Sequence, residues 1–159
     1  MAETDSKKPV AVLVDADACP VKEECYRVGE RLKVPVVIVA NSFIRTPDQP
    51  GIFRVKVGDG FDAADDWIAD NAHPKCVVIT ADILLAERCL EKGAQVLSNK
   101  GVAFTPDSIG TQVATRAIMA DLRAGAVGEN IGGPAPFNKA DRSQFLQALD
   151  SAVRRAQKM

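Results

Sequence analysis

The chain has 159 residues and a mass of 17.0 kDa, the size of one ordinary domain, so a single hydrophobic core is expected and a two-domain enzyme is not. Apolar residues make up 47% and charged residues 26%, a composition that excludes disorder for most of the chain. With 20 Lys and Arg against 21 Asp and Glu, a formal charge of -1, it is not built to coat nucleic acid through diffuse positive charge.

The polar stretch 1–8 is expected to be a flexible N-terminal segment, followed by one domain over 9–159. The first apolar run, Val10 to Val14, is too short for a signal-peptide core or a membrane span, so a cytoplasmic protein with no membrane association is expected. Cys19, Cys25, Cys76 and Cys89 form no C-x-x-C pair, and His73 alone does not complete a zinc ligand set. Buried reduced thiols are the expectation. Cys19, just before Pro20 at a helix start, is the one place where the thiol pKa could be depressed, although no His lies near it in sequence.

In chain order, Pro9 to Val14 is a continuous apolar run ending at Asp15, the pattern of a strand buried on both faces of a parallel sheet. Pro20 opens a helix to about Lys33, with Val21, Cys25, Val28 and Leu32 forming its core stripe. Pro35 to Ala40 is the second strand. Asn41 to Gly51 carries the turn chemistry of Pro47, Asp48 and Pro50, and leads to a third strand, Ile52 to Val57. Its alternation sets Phe53, Val55 and Val57 against Arg54 and Lys56, which suits a place near a sheet edge.

A helix is predicted from about Phe61 to Asn71, with Phe61, Ala64 and Ile68 on one side, then a buried strand from Cys76 to Thr80. Asp82 to Lys92 is a helix stopped by Gly93, and Gln95 to Leu97 returns to β structure. Thr105-Pro-Asp107 starts a helix running to about Ala124. The Gly- and Pro-rich segment 125–138 is a mobile loop or a strap, and the helix 140–157 turns Phe145, Leu149 and Val153 inward. The alternation of strand and helix predicts an α/β fold, one mainly parallel sheet flanked by helices.

Open parallel sheets bind ligands beyond the carboxyl ends of their strands, and there the aspartates gather. The first strand ends in Asp15-Ala-Asp17, the third leads to Asp59, Asp62, Asp65 and Asp66, and the fourth ends in Thr80-Ala-Asp82. Like charges in a cleft repel and are costly to desolvate, so a hard cation such as Mg²⁺ or Mn²⁺ is the simplest partner. Oxygen ligands without His or Cys argue against zinc. Each acid also has a plainer reading: Asp62 and Asp82 as helix caps, Asp65, Asp66 and Asp70 as a solvated helix face.

Two chemistries fit D-x-D after a buried strand. In one, the aspartates hold divalent ions that activate water against a phosphodiester. In the other, Asp15 is a phosphate-accepting nucleophile and Asp17 a general acid, since Leu13-Val-Asp-Ala-Asp17 resembles the opening motif of haloacid-dehalogenase-type phosphatases. Ser42 and the pair Asp65-Asp66 can be fitted to that scheme, whereas Cys19 departs from it. A non-catalytic binding module is the third class. Asn41, Ser42, Arg45 and Thr80 are candidate phosphate contacts, and Arg116 and Arg123 share a helix face. With Lys139, Arg142, Arg154, Arg155 and Lys158 they are a candidate surface for a phosphate backbone or a solvated face.

Longer motifs run in order through the chain: Val14-Asp-Ala-Asp-Ala-Cys-Pro-Val-Lys22, Val39-Ala-Asn41, Asp62-Ala-Ala-Asp-Asp-Trp-Ile68, Thr80-Ala-Asp-Ile83 and Arg88-Cys-Leu-Glu-Lys-Gly-Ala94. Ile109-Gly110, Asp121-Leu-Arg123, Gly133-Pro-Ala-Pro-Phe137 and Asp141-Arg-Ser-Gln-Phe-Leu146 continue the series. From about Val10 to Asp150 the chain resembles the bacterial YaiI/YqxD family, which is grouped by similarity with PIN-like domains, a Rossmann-like fold of metal-dependent ribonucleases. The resemblance implies a PIN-like fold, a Mg²⁺- or Mn²⁺-dependent phosphodiesterase chemistry and RNA as a candidate substrate. It implies Asp15 and Asp82 as direct metal ligands and catalytic acids, with Asp17 and one of Asp62, Asp65 or Asp66 as further ligands or water-orienting groups. Leu84, where Pro is expected, and Ser98-Asn99, in place of a Pro-containing turn, depart from the family pattern.

Overall fold

The computed structural model describes residues 8–17, 19–58, 60, 62–110 and 137–159. The apolar runs become β1 (Ala11–Asp15), β2 (Val36–Ala40), β3 (Ile52–Lys56), β4 (Cys76–Ile79) and β5 (Gln95–Leu97). Between and after them lie α1 (Lys22–Leu32), α2 (Ala63–Asn71), α3 (Ile83–Glu91) and α4 (Lys139–Gln157). The sheet order is β3-β2-β1-β4-β5, and every strand pair is parallel, an α/β architecture.

Alternation along β1 divides the core. Val12 and Val14 face α1 and α4, joining Ile38, Val77 and Ile79 with Cys25, Val28, Phe145 and Leu149. Leu13 faces the other way, toward Val39, Val78 and Val96, with Ile68 from α2 and Leu85 and Cys89 from α3. A strand with helices on both sides has no wet face, which is why β1 and β4 read as unbroken apolar runs. Full burial of Phe145 and Leu149 contributes about 1.5–3 kcal/mol each and anchors α4 on its face of the sheet.

Local signals set the ends of the elements. Gly93, at φ +84°, follows α3 and donates its N–H to the Leu90 carbonyl, the left-handed stop expected from the sequence. Asn138 caps α4 through a reciprocal pair with Asp141, so the helix begins one residue before the predicted Ala140. Gly29 has a different role. A Cβ there would run into the side chain of Val36 and the Val34 carbonyl, so glycine lets α1 pack directly on the start of β2.

As expected, β3 is an edge strand. Phe53, assigned by alternation to its apolar side, is 54% exposed, whereas Val55 and Val57 pack against the core. Residues 106–110 are helical, with Thr105 and Ser108 exchanging backbone-to-hydroxyl hydrogen bonds at the start. The predicted continuation to Ala124, most of the segment 125–138, and residues Asp59, Phe61, Arg116 and Arg123 lie outside the described residues. No helix among the described residues is long and apolar enough to cross a membrane.

Candidate functional site

The chain runs outward from β1 through β2 to β3, then returns to place β4 on the other side of β1. Strand order therefore reverses between β1 and β4, and an open α/β sheet has its crevice beyond the carboxyl ends of such a pair. A cleft of about 310 Å³ lies there, lined by Asp15, Asp17, Cys19, Asp82 and Asn99.

Asp15 closes β1 and accepts a 2.8 Å hydrogen bond from the Thr80 hydroxyl just past β4. The same hydroxyl oxygen accepts the Asp82 N–H at 3.0 Å. Thr80 is 1% exposed, so its hydroxyl is committed to holding Asp15 and the β4 turn in register and presents no open face to a phosphate. Asp82 is the N-cap of α3: its Oδ1 accepts from the N–H groups of Leu84, at 2.9 Å, and Leu85, at 3.3 Å. The plainer cap reading thus holds for Asp82 together with its place in the cleft wall.

Asp17 ties two strand exits together. One carboxylate oxygen accepts the Asn41 N–H at 3.1 Å, and the other accepts the Ser42 hydroxyl at 3.4 Å. Asn41 and Ser42 therefore buttress Asp17 from the loop after β2.

Asp65, on α2, is the acid of that helix that feels the cleft. Burial, then the charges of Asp82, Asp15 and Asp62, push its carboxyl up to about 6. Asp15 is raised as well, first by burial and then by Asp17 and Asp82, with the Thr80 hydrogen bond opposing. Asp66 turns away to an exposed 3.0 Å ion pair with Arg88, and Asp62 is exposed at the start of α2, where its side chain makes no capping bond.

The six candidate acids thus do not converge as one ligand set. Among the described residues, no three His, Cys, Asp or Glu side chains are arranged to hold a metal ion directly. The oxygen donors of Asp15, Asp17 and Asp82 suit a hard cation that keeps much of its water, since Mg²⁺ is commonly bound through only one or two carboxylates. Burial and then mutual repulsion raise Asp15 and Asp65, and the repulsion is the part that a cation relieves.

Two lining residues were not among the candidates. Cys19 is buried, and its thiol lies 3.8 Å from the Asn99 Oδ1. Burial raises the thiol pKa more than the Val21 backbone and Lys22 lower it, so the helix start does not activate it. Asn99 reaches the cleft from the turn after β5, a segment marked in the sequence only as a departure from the family pattern.

Three arginines of α4 are engaged within the fold. Arg142 pairs with Glu24 at 3.1 Å and donates to the Pro20 carbonyl, Arg154 pairs with Asp150 at 2.7 Å, and Arg155 donates to Gln95. Arg45 is exposed in the loop after β2.

Comparison with known proteins adds the lineage. The model of the family described as "Uncharacterized BCR, YaiI/YqxD family" matches residues 13–155. The chain is similar to the "UPF0178 protein" of Sphingopyxis alaskensis, 62% identical over 147 residues that cover 92% of this chain and 95% of that protein. It is similar also to the "UPF0178 protein" of Jannaschia sp., 61% identical over 144 residues, covering 91% of this chain and 92% of that one. A third such protein, from Rhodopseudomonas palustris, is 53% identical over 147 residues, covering 92% and 88%. No solved structure gives a significant match. The extent of these matches, over nearly the full length of both partners, establishes that the chain belongs to the YaiI/YqxD family.

Proposed function

We propose that the chain is a divalent-cation-dependent phosphodiesterase acting on RNA, with its site in the cleft beyond β1 and β4. The observation that carries this reading is the meeting of Asp15, Asp17 and Asp82 in one cleft at the strand-order reversal. The resemblance to PIN-like ribonucleases supplies RNA as the substrate class.

Asp15 and Asp17 are the residues that would hold Mg²⁺ or Mn²⁺, with Asp82 at the edge of its water shell. Bound there, the ion would polarise the phosphodiester and lower the pKa of a coordinated water. The protein's own part is positional. Thr80 fixes one oxygen of Asp15, Asn41 and Ser42 fix both oxygens of Asp17, and the α3 amides fix Asp82. The carboxylates are thus held ready for the cation, which would supply the positive charge that a phosphodiester's developing negative charge needs. Asp65 is coupled to Asp82 and Asp15 through their charges, so a cation held among them would bring its carboxyl, pushed up to about 6 by burial and those charges, back down.

The test is cleavage of an end-labelled oligoribonucleotide with Mn²⁺ or Mg²⁺ and with EDTA. Cation-dependent cleavage by the unaltered chain, lost in Asp15→Asn with the circular dichroism spectrum preserved, is the expected result. Equal cleavage by Asp15→Asn overturns the reading. A beryllofluoride adduct at Asp15 with monoester turnover and no diester cleavage would instead favour a phosphatase.

A further inference from the structure

Beside the cleft, the loop after β2 leaves a large aromatic ring in solvent. Phe43 is 66% exposed and directly follows Ser42, whose hydroxyl lies 3.4 Å from the Asp17 carboxylate. The core does not bury this ring, yet it is held in place. The Arg54 guanidinium, from β3, stacks over one face at 4.3 Å from the centroid and also donates to the Ile44 carbonyl at 3.4 Å. Ile44 in turn packs against the core. One face of Phe43 is thus backed by a cation and the other is open.

Exposed cations lie near the ring, on the same loop and on β3. Arg45 is exposed two residues beyond Phe43. Lys56 is exposed at the carboxyl end of β3, in register with Ala40, the residue before Asn41. Arg54 and Lys56 lie two apart on the edge strand and share a side of the sheet. A braced aromatic face flanked by cations, one residue from the Ser42 hydroxyl that meets Asp17 of the acidic cleft, has the chemistry of a stacking platform with phosphate contacts.

We propose that Phe43, Arg45, Arg54 and Lys56 form a binding surface for single-stranded RNA that leads the strand into the cleft of Asp15 and Asp17. This rests on the phosphodiesterase reading and gives it a substrate form. Phe43 stacks on an unpaired base, Arg54 braces the ring from behind, and Arg45 and Lys56 contact flanking phosphates. A duplex, whose bases are already stacked in the helix, offers Phe43 no base face. The near-neutral charge of the whole chain is compatible with such a local surface, which needs only the few cations named.

The experiment measures binding apart from chemistry. Fluorescein-labelled oligouridylate is titrated by anisotropy against the Asp15→Asn chain, which keeps the strand intact, in low salt. In that background Phe43→Ala is expected to weaken binding about fivefold or more, and Phe43→Trp to retain it. Arg45→Ala and Lys56→Ala should each reduce the slope of log affinity against log salt by about one. Unchanged affinity in Phe43→Ala overturns the proposal, as does a fully paired duplex that binds with the same dependence on Phe43. Turnover of bis(p-nitrophenyl) phosphate by the unaltered chain reports the cleft independently. No turnover with Phe43-dependent binding overturns the catalytic reading and leaves the RNA surface standing; turnover with Phe43-independent binding does the reverse.

Discussion

The two ends of the sheet carry two hollows of opposite character. At the amino ends of β2 and β3 lies the larger, about 540 Å³, lined by Tyr26, Gly29, Val34, Pro35 and Phe53 among others. At the carboxyl ends of β1 and β4 lies the smaller, about 310 Å³, walled by Asp15, Asp17 and Asp82. Size alone would favour the first as a ligand site, but its lining, where α1 comes down onto β2, mixes apolar residues with Glu30, Lys33 and Gln49 and gathers no set of like charges. The second hollow has converging polar groups because strand order reverses there, so no crossover helix covers the gap between neighbouring strand exits. In this fold the direction of the strands, more than the volume of the hollow, marks where the carboxylates gather.

The sharpest way to break that contrast is Asp15→Asn, which should reduce cation-dependent cleavage by at least about 100-fold. No substitution in the amino-end hollow should approach that loss. Thr80→Val comes next, with an expected loss of about 10- to 100-fold, the scale for removing a group that orients a metal-binding carboxylate. It has a signature that a general loss of stability lacks. The Thr80 hydrogen bond holds the Asp15 carboxyl down, so its removal raises that carboxyl further and moves the acid limb of the pH–rate profile upward.

At the other end, Gly29→Ala should cost about 1–3 kcal/mol in urea unfolding, because the added methyl meets Val36 and the Val34 carbonyl. The folded fraction should cleave at the original rate. A fall in the rate per folded molecule would erase the distinction between the two ends.

The smallest effect is electrostatic. Asp65 has a folded pKa of about 6 against 3.8 for the free group, so the folded chain binds that proton more tightly than the unfolded chain. Stability from this group is therefore greatest below about pH 3.8 and declines as pH rises through 6. Asp65→Asn should stabilise the chain at pH 7 by less than about 1 kcal/mol, since the group is partly solvated, and by nothing near pH 3. Millimolar Mg²⁺ should raise the melting temperature of the unaltered chain more than that of the variant. Equal shifts would separate Asp65 from the cation-binding cluster.

Much of the fold was legible because its causes are local. Pro9 to Val14 and Cys76 to Ile79 are apolar without interruption because both sides of those strands are covered, and Gly93 stops α3 through its own backbone freedom. Phe53 misled because alternation reports which side a residue faces and not whether a helix covers that side. Among the acids at the start of α2, helical spacing sets Asp65 at the border of the apolar side and Asp62 and Asp66 farther round, which does not decide which of them looks into the site. What separates them is the Arg88 partner that takes Asp66, and the distant Asp82 and Asp15 charges that act on Asp65.

The sequence by itself determined the family, the alternation of strands and helices, and the concentration of aspartates after apolar runs, all of which are written in short stretches of residues. Only the tertiary structure decided that β4 lies beside β1, and so that Thr80 holds Asp15 from 65 positions away. It also brought Asn99 and Cys19 into one wall and set Phe43 in solvent with Arg54 behind it. These relations depend on crossovers between segments far apart in the chain. Periodicity describes one segment at a time, and the electrostatic environment of a carboxylate is the sum of charges that folding gathers from several.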